Sequence, residues 1–391
     1  MKKNFLKYCL FIIAVIFIMG ACNNPIFYTI SQEVAPIEPL IGGGPTNFVI
    51  YQNEMYVASL RKLWKYGAAG GQGRYGRWRD DTPQPGGNFQ QLASTGNYLY
   101  AITYSNDTVH SLKRFNSTEW VPIPIDDIGS YDKVQYIFAA VDVLFIGAAD
   151  GNSYTILYID DTTEIYELAL EGDSDASYEI CGAAHNGEYY FICTKREGIY
   201  YTSDPSAGAK FIEGSKASFA GMISIGGGKI IAITNSGELF SVTSDIVGQI
   251  PGIHFSGRQA TGALAIWIDP NEPDPDNPEN ILLLAGRQEM LDYSTSSGYT
   301  YGYLELELDL SQPNGIKEGT EFREPGIISV SSITDGNNER FSSTIGKHPV
   351  NHMFQAPKNI DSEMILFAST QKNGVWSYRN RNNELQWNGE D

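Results

Sequence analysis

The stretch EMILFASTQKNGVWSY, residues 363–378, decides the fold because shorter copies of it recur along the chain. Each copy begins with an almost continuously apolar run that closes on a small residue or a threonine. A polar turn follows, and then a run that carries aromatic residues. The same order appears in KIIAITNSGELFSV at residues 229–242 and in EYYFICTKREGIYYT at residues 188–202. Short apolar and alternating runs separated by polar turns are typical of antiparallel strands, so the copies predict a repeating β-unit.

Seven copies follow one another at nearly regular intervals. Their closing residues lie 40 to 52 residues apart up to the sixth copy and 83 apart between the last two, at Ser59, Thr103, Ala148, Thr194, Thr234, Gly286 and Ser369. A recurrence of about 40–50 residues is typical of the blades of a β-propeller. An apolar strand and a hairpin turn precede each copy. A weaker strand with a bulky aromatic residue often follows, as at Trp78, Trp120, Phe211 and Trp387.

These repeats predict an all-β fold, a single β-propeller with seven four-stranded blades, because radially stacked sheets can bury both of their faces. Eight blades is the alternative, since residues 292–350 have room for an insertion or a degraded extra unit. A two-sheet sandwich does not explain seven copies of one motif. The second strand of each unit is almost continuously apolar, so we expect it to be buried on both faces.

Two of the repeats also carry a family resemblance. FASTQKNGVWSY with the later LQW (residues 367–387) and ICTKREGIYYTSDPSAGAKF (residues 192–211) resemble repeats of sialidase-like (BNR) and two-component-regulator-type propellers. The aspartate of a true Asp-box is missing, since Gln371 and Arg196 lie nearest to its place. The resemblance therefore implies the propeller fold without a particular activity, and we predict no catalytic residues.

The N-terminal segment resembles the signal of a bacterial lipoprotein. Lysines precede an apolar run of 14 residues, Tyr8–Ala21, which is shorter than the roughly 20 residues of a membrane-spanning helix. The run ends in IMGAC, with small residues directly before a cysteine. The resemblance implies that Cys22 is acylated, palmitate included, and becomes the mature N-terminus. A plain signal peptide with a chance cysteine is the alternative.

The predicted domains follow from this segment. They are a signal peptide at residues 1–21, an acylated cysteine with a flexible tether at residues 22–45, and the propeller at residues 46–391. Prolines and the run Gly42–Gly44 are typical of a linker. We expect a monomer in the cell envelope, lipid-anchored to a bacterial membrane at the outer-membrane surface or on the periplasmic face.

The net charge of the chain limits the classes of partner that it can bind. Lys and Arg number 27 against 46 Asp and Glu, which gives a formal net charge of −19. Binding to nucleic acid relies on cationic contacts with phosphates, so we expect no nucleic-acid partner. The same argument disfavours direct contact with an anionic lipid surface.

One loop of the sequence has the side chains to bind a metal ion. The loop DPNEPDPDNPEN, residues 269–280, offers carboxylate oxygens for calcium, with Asp269, Asp274 and Asp276 as candidate ligands. Its four prolines stiffen the backbone, and an exposed acidic excursion is the alternative. No other cofactor is expected.

Cys181 and Cys193 flank a hairpin turn and are candidates for a disulfide in an oxidising compartment, with two buried free thiols as the alternative.

The function that these features favour is non-catalytic binding of a protein or glycan by a membrane-anchored propeller. A glycoside hydrolase-like enzyme and a periplasmic scaffold for envelope assembly are the alternatives. The mouth of the central channel should separate the first two. Convergent carboxylates and arginines there would favour catalysis, whereas aromatic and amide side chains would favour binding.

Overall fold

Seven antiparallel sheets, each formed from consecutive strands of the chain, make up the propeller. The computed structural model describes residues 40–67, 71–72, 77–105, 109–125, 131–160, 164–172, 177–244, 246–255, 259–270, 280–288, 302–323, 349–371, 374–381 and 384–390. These residues belong to one compact unit that begins at Pro39. The prediction of a seven-bladed, four-stranded propeller is confirmed.

The strands of the first three blades are β1 (Val49–Tyr51), β2 (Glu54–Ser59), β3 (Lys62–Tyr66) and β4 (Trp78–Arg79); β5 (Asn88–Ser94), β6 (Leu99–Ser105), β7 (Val109–Phe115) and β8 (Trp120–Ile123); and β9 (Lys133–Ala140), β10 (Val143–Asp150), β11 (Ser153–Ile159) and β12 (Ile165–Glu167).

Blades 4 and 5 contain β13 (Ile180–His185), β14 (Tyr190–Thr194), β15 (Ile199–Thr202) and β16 (Lys210–Phe211), then β17 (Phe219–Gly226), β18 (Lys229–Thr234), β19 (Leu239–Val242) and β20 (Val247–Gln249). A 3₁₀ turn, Pro205–Ala207, precedes β16. Blade 6 contains β21 (Gln259–Ile268), β22 (Ile281–Gln288) and β23 (Gly302–Leu308), and blade 7 contains β24 (Val350–Gln355), β25 (Leu366–Thr370), β26 (Val375–Arg381) and β27 (Glu384–Gly389).

The outer edge of blade 6 differs from the others. Three strands are described there, and Arg323 and Ile316 extend the edge by single bridges to Glu305 and Leu308 of β23. Residues 302–323 therefore belong to the sixth blade and not to an eighth unit. Residues 292–301 and 324–348, which also belong to the predicted insertion, lie outside the described part of the chain.

The first strand of each blade lies innermost, and the first strands of successive blades contact one another around the ring. The second strands are buried almost throughout, as in β10, where Val143–Ala149 are all buried. This confirms the expectation drawn from their apolar sequence. Each second strand packs between two neighbouring sheets, so both of its faces need apolar side chains.

The threonine that closes several second strands has a local role. The Thr194 hydroxyl donates to the carbonyl of Gly198 at 2.8 Å and accepts from the backbone N–H of Glu197 at 3.0 Å. In blade 7 the strand ends at Thr370, one residue after the predicted closing residue Ser369, and Thr370 repeats the first of these bonds by donating to the carbonyl of Gly374 at 3.0 Å. The hydroxyl thus satisfies backbone groups of the turn to the third strand, which explains why the motif recurs.

The ring closes between the last blade and the first. The Leu40 N–H donates to the Glu390 carbonyl at 3.0 Å, and the Val375 N–H donates to the Ile41 carbonyl at 3.1 Å. On the channel side, the Phe48 N–H donates to His352 Nδ1 at 3.1 Å. Residues 40–41, within the segment predicted as a tether, are therefore bonded to blade 7. Among the described residues, no helix has the length and apolarity needed to cross a bilayer.

Candidate functional site: the central channel

A cavity of about 710 Å³ occupies the centre of the ring and is lined by residues of the first strands of all seven blades. Ligand pockets in proteins commonly enclose about 300–1,000 Å³, so the cavity has the size of a small-ligand site. Each blade contributes only a few residues to the wall. The chemistry of the wall is therefore set by which side chains each first strand turns inward.

In six blades, a β-bulge near the start of the first strand determines which side chains point into the channel. The pairing between first and second strands shifts there, for instance between Phe89 and Gln91 and between Val350 and His352. Such shifts also occur in blades 3, 4, 5 and 6. A bulge leaves one residue unpaired and redirects its side chain. The residues at these bulges include Gln90, Cys181, Ala220 and Asn351, all of which line the cavity.

Carboxamides on the inner strands hold neighbouring blades together. Asn47 Nδ2 donates to the Leu92 carbonyl at 2.7 Å, while the Leu92 N–H donates to Asn47 Oδ1 at 2.9 Å. Gln91 makes the same paired contact with the backbone of Ile137, at 2.6 and 3.1 Å. Gln355 does so with the backbone of Ile268, at 2.7 and 2.8 Å. Each amide mimics one rung of a strand ladder, which satisfies inner-strand backbone groups that would otherwise be unpaired.

Blades 4 to 6 have glycines at the corresponding place, and their inner strands approach closely. A Cβ on Gly182 would lie 3.0 Å from the Met222 nitrogen, and a Cβ on Gly221 would lie 2.7 Å from the Gly262 carbonyl oxygen. Gly262 itself has φ of 83°, a conformation that favours glycine. This side of the channel therefore presents mostly backbone.

Blade 3 supplies an aromatic wall. The rings of Tyr136 and Phe138 lie 6.4 Å apart at 29°, and both half-buried side chains line the cavity. Lys195 Nζ donates to the Tyr136 hydroxyl at 3.0 Å and to Glu179 Oε1 at 2.6 Å. Burial lowers the pKa of Lys195, but its hydrogen bonds to Glu179 and Tyr136 outweigh that effect and leave the pKa above its ordinary value. The lysine is thus charged and paired.

Blade 7 supplies a neutral polar wall. Because the Phe48 N–H donates to His352 Nδ1, that nitrogen is unprotonated and the neutral ring carries its proton on Nε2. Burial lowers the pKa of His352 to about 4, in agreement with a neutral ring. The neighbouring Asn351 is exposed in the channel.

The other predicted site residues are distributed as follows. Cys22, Asp274 and Asp276 lie outside the described residues, and Asp269 directly follows β21 at the start of the acidic loop. Residues 269–280 lie between β21 and β22 in the chain. Nowhere in the described chain do three His, Cys, Asp or Glu side chains form a group that could hold a metal ion. Calcium binding stays a prediction.

Cys181 and Cys193 are buried free thiols in this structure. Cys181 occupies the bulge of β13 and its S–H donates to the Cys193 carbonyl at 3.4 Å. Burial, with a side-chain hydrogen bond to Cys181, raises the pKa of the Cys193 thiol well above its ordinary value, so this thiol is protonated and unreactive at neutral pH. The disulfide stays a prediction for an oxidising compartment.

The inner-strand roles of Asn47, Gln91, Asn351 and Gln355 were not predicted from the sequence. A usable signal exists for the bulges. The residue paired with the closing threonine of the second strand immediately precedes the bulge, as Phe89 pairs with Thr103 and Val350 with Thr370. Counting back from the closing threonine across the hairpin would have located the bulge, and with it the residues that face the channel.

Comparison with known proteins supports the fold and leaves the family open. No protein-family model matches the chain, and no curated protein matches it in sequence. Among solved structures, the chain resembles the GH74 enzyme of Niastella koreensis, with a TM-score of 0.54 and 13% identity over 89% of this chain and 54% of that one. The chain thus spans about half the length of that enzyme.

Two further solved structures align with this chain over nearly their whole length. A chain of the mitotic checkpoint complex has a TM-score of 0.51 and 12% identity, over 89% of this chain and 95% of its own. Streptogramin B lyase has a TM-score of 0.50 and 10% identity, over 89% of this chain and 95% of its own. The structural neighbours are β-propellers. At these identities the likeness shows the fold alone.

Proposed function

We propose that the chain is an exported lipoprotein, anchored through Cys22, whose propeller binds a protein or glycan ligand without transforming it. The composition of the channel wall carries the binding part of this proposal. Carboxamides, aromatic rings, a neutral imidazole and backbone groups line the cavity, and its described lining contains no Asp or Glu. Glycoside hydrolysis by the usual route needs two carboxylates about 5–10 Å apart on either side of the scissile bond. The wall therefore fits recognition better than hydrolysis.

The lipid anchor is supported by the sequence around Cys22, where small residues follow an apolar run of signal-peptide length. To test it, cells producing the wild type and Cys22→Ala are grown with a clickable fatty acid, and intact cells are treated with protease. We expect lipid labelling of the wild type, no labelling of the variant, and digestion of the propeller from outside.

Each alternative has its own outcome in that experiment. Labelling with full protection from protease would indicate a periplasmic scaffold. Equal labelling of Cys22→Ala, or no labelling of either protein, would contradict the lipoprotein proposal. Cys9→Ala is the matched control, because Cys9 lies inside the apolar run and we expect its removal to leave labelling unchanged.

A further inference from the structure

Three carboxamides of the inner wall bond through both the amide nitrogen and the amide oxygen, whereas, among the described residues, the side chain of Asn351 bonds through neither. Asn47, Gln91 and Gln355 each pair with a backbone N–H and a backbone C=O of the adjacent blade. Asn351 sits at the bulge of β24, is exposed in the cavity, and makes no hydrogen bond within the described part of the chain. Its side chain therefore offers a donor and an acceptor to a ligand.

The neighbouring His352 adds a directed donor. Its Nδ1 is occupied by the Phe48 N–H, and that contact is the one hydrogen bond of the ring within the described chain. The tautomer is thereby fixed, and Nε2–H is the group left for a ligand in the cavity that His352 lines. Blade 7 thus presents neutral donors and an acceptor side by side.

Blade 3 faces this wall, because it lies three positions from blade 7 in a ring of seven. Its contribution is the half-buried ring of Phe138 beside Tyr136, whose hydroxyl is held by Lys195. The part of the Phe138 ring that lines the cavity is suited to contact with apolar C–H groups of a ligand. The cavity therefore has an apolar face opposite a hydrogen-bonding face.

The charge of the wall excludes strongly charged ligands. The described lining contains one ammonium group, Lys195, which is already paired with Glu179 at 2.6 Å. A cationic ligand would find no carboxylate in that lining, and an anionic ligand would enter a chain with a net charge of −19. The complementary ligand is uncharged.

An extended peptide is also disfavoured, because it binds by adding a strand to a free sheet edge. The channel-side edges of β5, β9 and β21 are engaged by the side chains of Asn47, Gln91 and Gln355. Between blades 5 and 6, the approach of Gly221 to Gly262 leaves no room for a further strand.

From these observations we infer that the central channel binds a neutral glycan, with the sugar ring against Phe138 and its hydroxyl groups on Asn351 and His352. This inference rests on the proposed binding function and names its ligand class. A neutral sugar combines apolar C–H faces with hydroxyl edges that both donate and accept. That combination matches the two facing walls of the channel.

The test uses the full-length chain in detergent on a printed array of neutral, sialylated and sulfated oligosaccharides, followed by calorimetric titration of the best neutral glycan. We expect binding to neutral glycans, weakened at least tenfold by Asn351→Ala and by Phe138→Ala. The matched controls are Asn152→Ala and Tyr166→Ala, an exposed asparagine and an exposed tyrosine on turns and outer strands of blade 3. We expect both controls to bind as the wild type does.

Asn351→Ala removes an exposed side chain, so it remains informative if Phe138→Ala fails to fold. No binding to any neutral glycan, a preference for the acidic glycans, or wild-type affinity in Asn351→Ala would overturn the inference. Asn351-dependent binding to an array of random dodecapeptides in place of glycans would overturn it too, yet would leave the proposed binding function standing. Chromatography of the titrated glycan separates the two proposals further, since cleavage products would contradict non-catalytic binding while keeping the glycan site.

Discussion

At the scale of single residues, His352 shows how one backbone donor sets the chemistry of a side chain. The Phe48 N–H holds the ring neutral by occupying Nδ1, and burial brings its pKa to about 4. In the unfolded chain a histidine has a pKa of about 6.5. The unfolded state therefore binds more protons between these values, and stability is lost as the pH falls from about 6.5 towards 4.

This predicts that His352→Asn, whose Oδ1 can accept the same N–H without titrating, flattens part of the pH dependence. Urea denaturation of both proteins from pH 7 to pH 5 should show the wild type losing about 1–2 kcal/mol more than the variant, at about 1.4 kcal/mol per pKa unit. The other titratable groups are shared, so the difference isolates His352. Parallel curves for the two proteins would contradict the neutral state of the half-buried ring.

At the scale of strands, the close approach of the inner strands in blades 4 to 6 depends on glycine. Gly262 has φ of 83°, and a Cβ there would collide with the backbone carbonyl of Ala220. Both effects act on the same residue, and the carbonyl belongs to the first strand of the neighbouring blade. The collision cannot be relieved without separating β17 from β21, and the strain at positive φ would remain.

We expect Gly262→Ala to lower the free energy of unfolding by about 1–3 kcal/mol, the usual cost of placing a residue with a Cβ in a strained conformation. Gly248→Ala is the matched control, because Gly248 lies in the outer strand β20 with open space around it. That change should be neutral or slightly stabilising. The measurement is urea denaturation, and equal effects of the two substitutions would argue against tight inner-strand packing.

The strands also show what could be read from the sequence. Second strands, hairpin turns and outer aromatic residues were predicted, because their patterns depend on burial and turn chemistry within one repeat of about 45 residues. The roles of the inner-strand amides were not predicted, because they depend on contacts with an adjacent blade. Asn47 bonds a residue 45 positions away and Gln355 one 87 positions away. A single asparagine or glutamine in a strand carries no mark of that partner.

At the scale of the whole molecule, the propeller is closed by a buried charged network between blades 1 and 7. Glu390 accepts from Trp78 Nε1 at 2.7 Å and from Arg379 at 2.7 Å, and also from the Ser377 hydroxyl. The side chains of Arg379 and Glu390 are 6% and 1% exposed, so this ion pair is shielded from water. The network joins β4 to the last sheet.

Glu390→Gln should therefore destabilise the whole ring by about 3 kcal/mol or more, because it removes the carboxylate charge that pairs with the buried Arg379. Lys62→Ala is the control, since it breaks an exposed ion pair with Asp80 and should cost less than about 1 kcal/mol. Chemical denaturation followed by tryptophan fluorescence measures both. A similar small loss in the two variants would show that closure does not depend on this network.

The measurement that tests the central claim most directly is a crystal structure of the protein with the neutral glycan that it binds most tightly. The account predicts an intact sugar within the ring, stacked on Phe138 and hydrogen-bonded to Asn351 and His352 Nε2. A glycan bound on the outer surface with the channel free of it, or a cleaved product in the channel, would contradict the account.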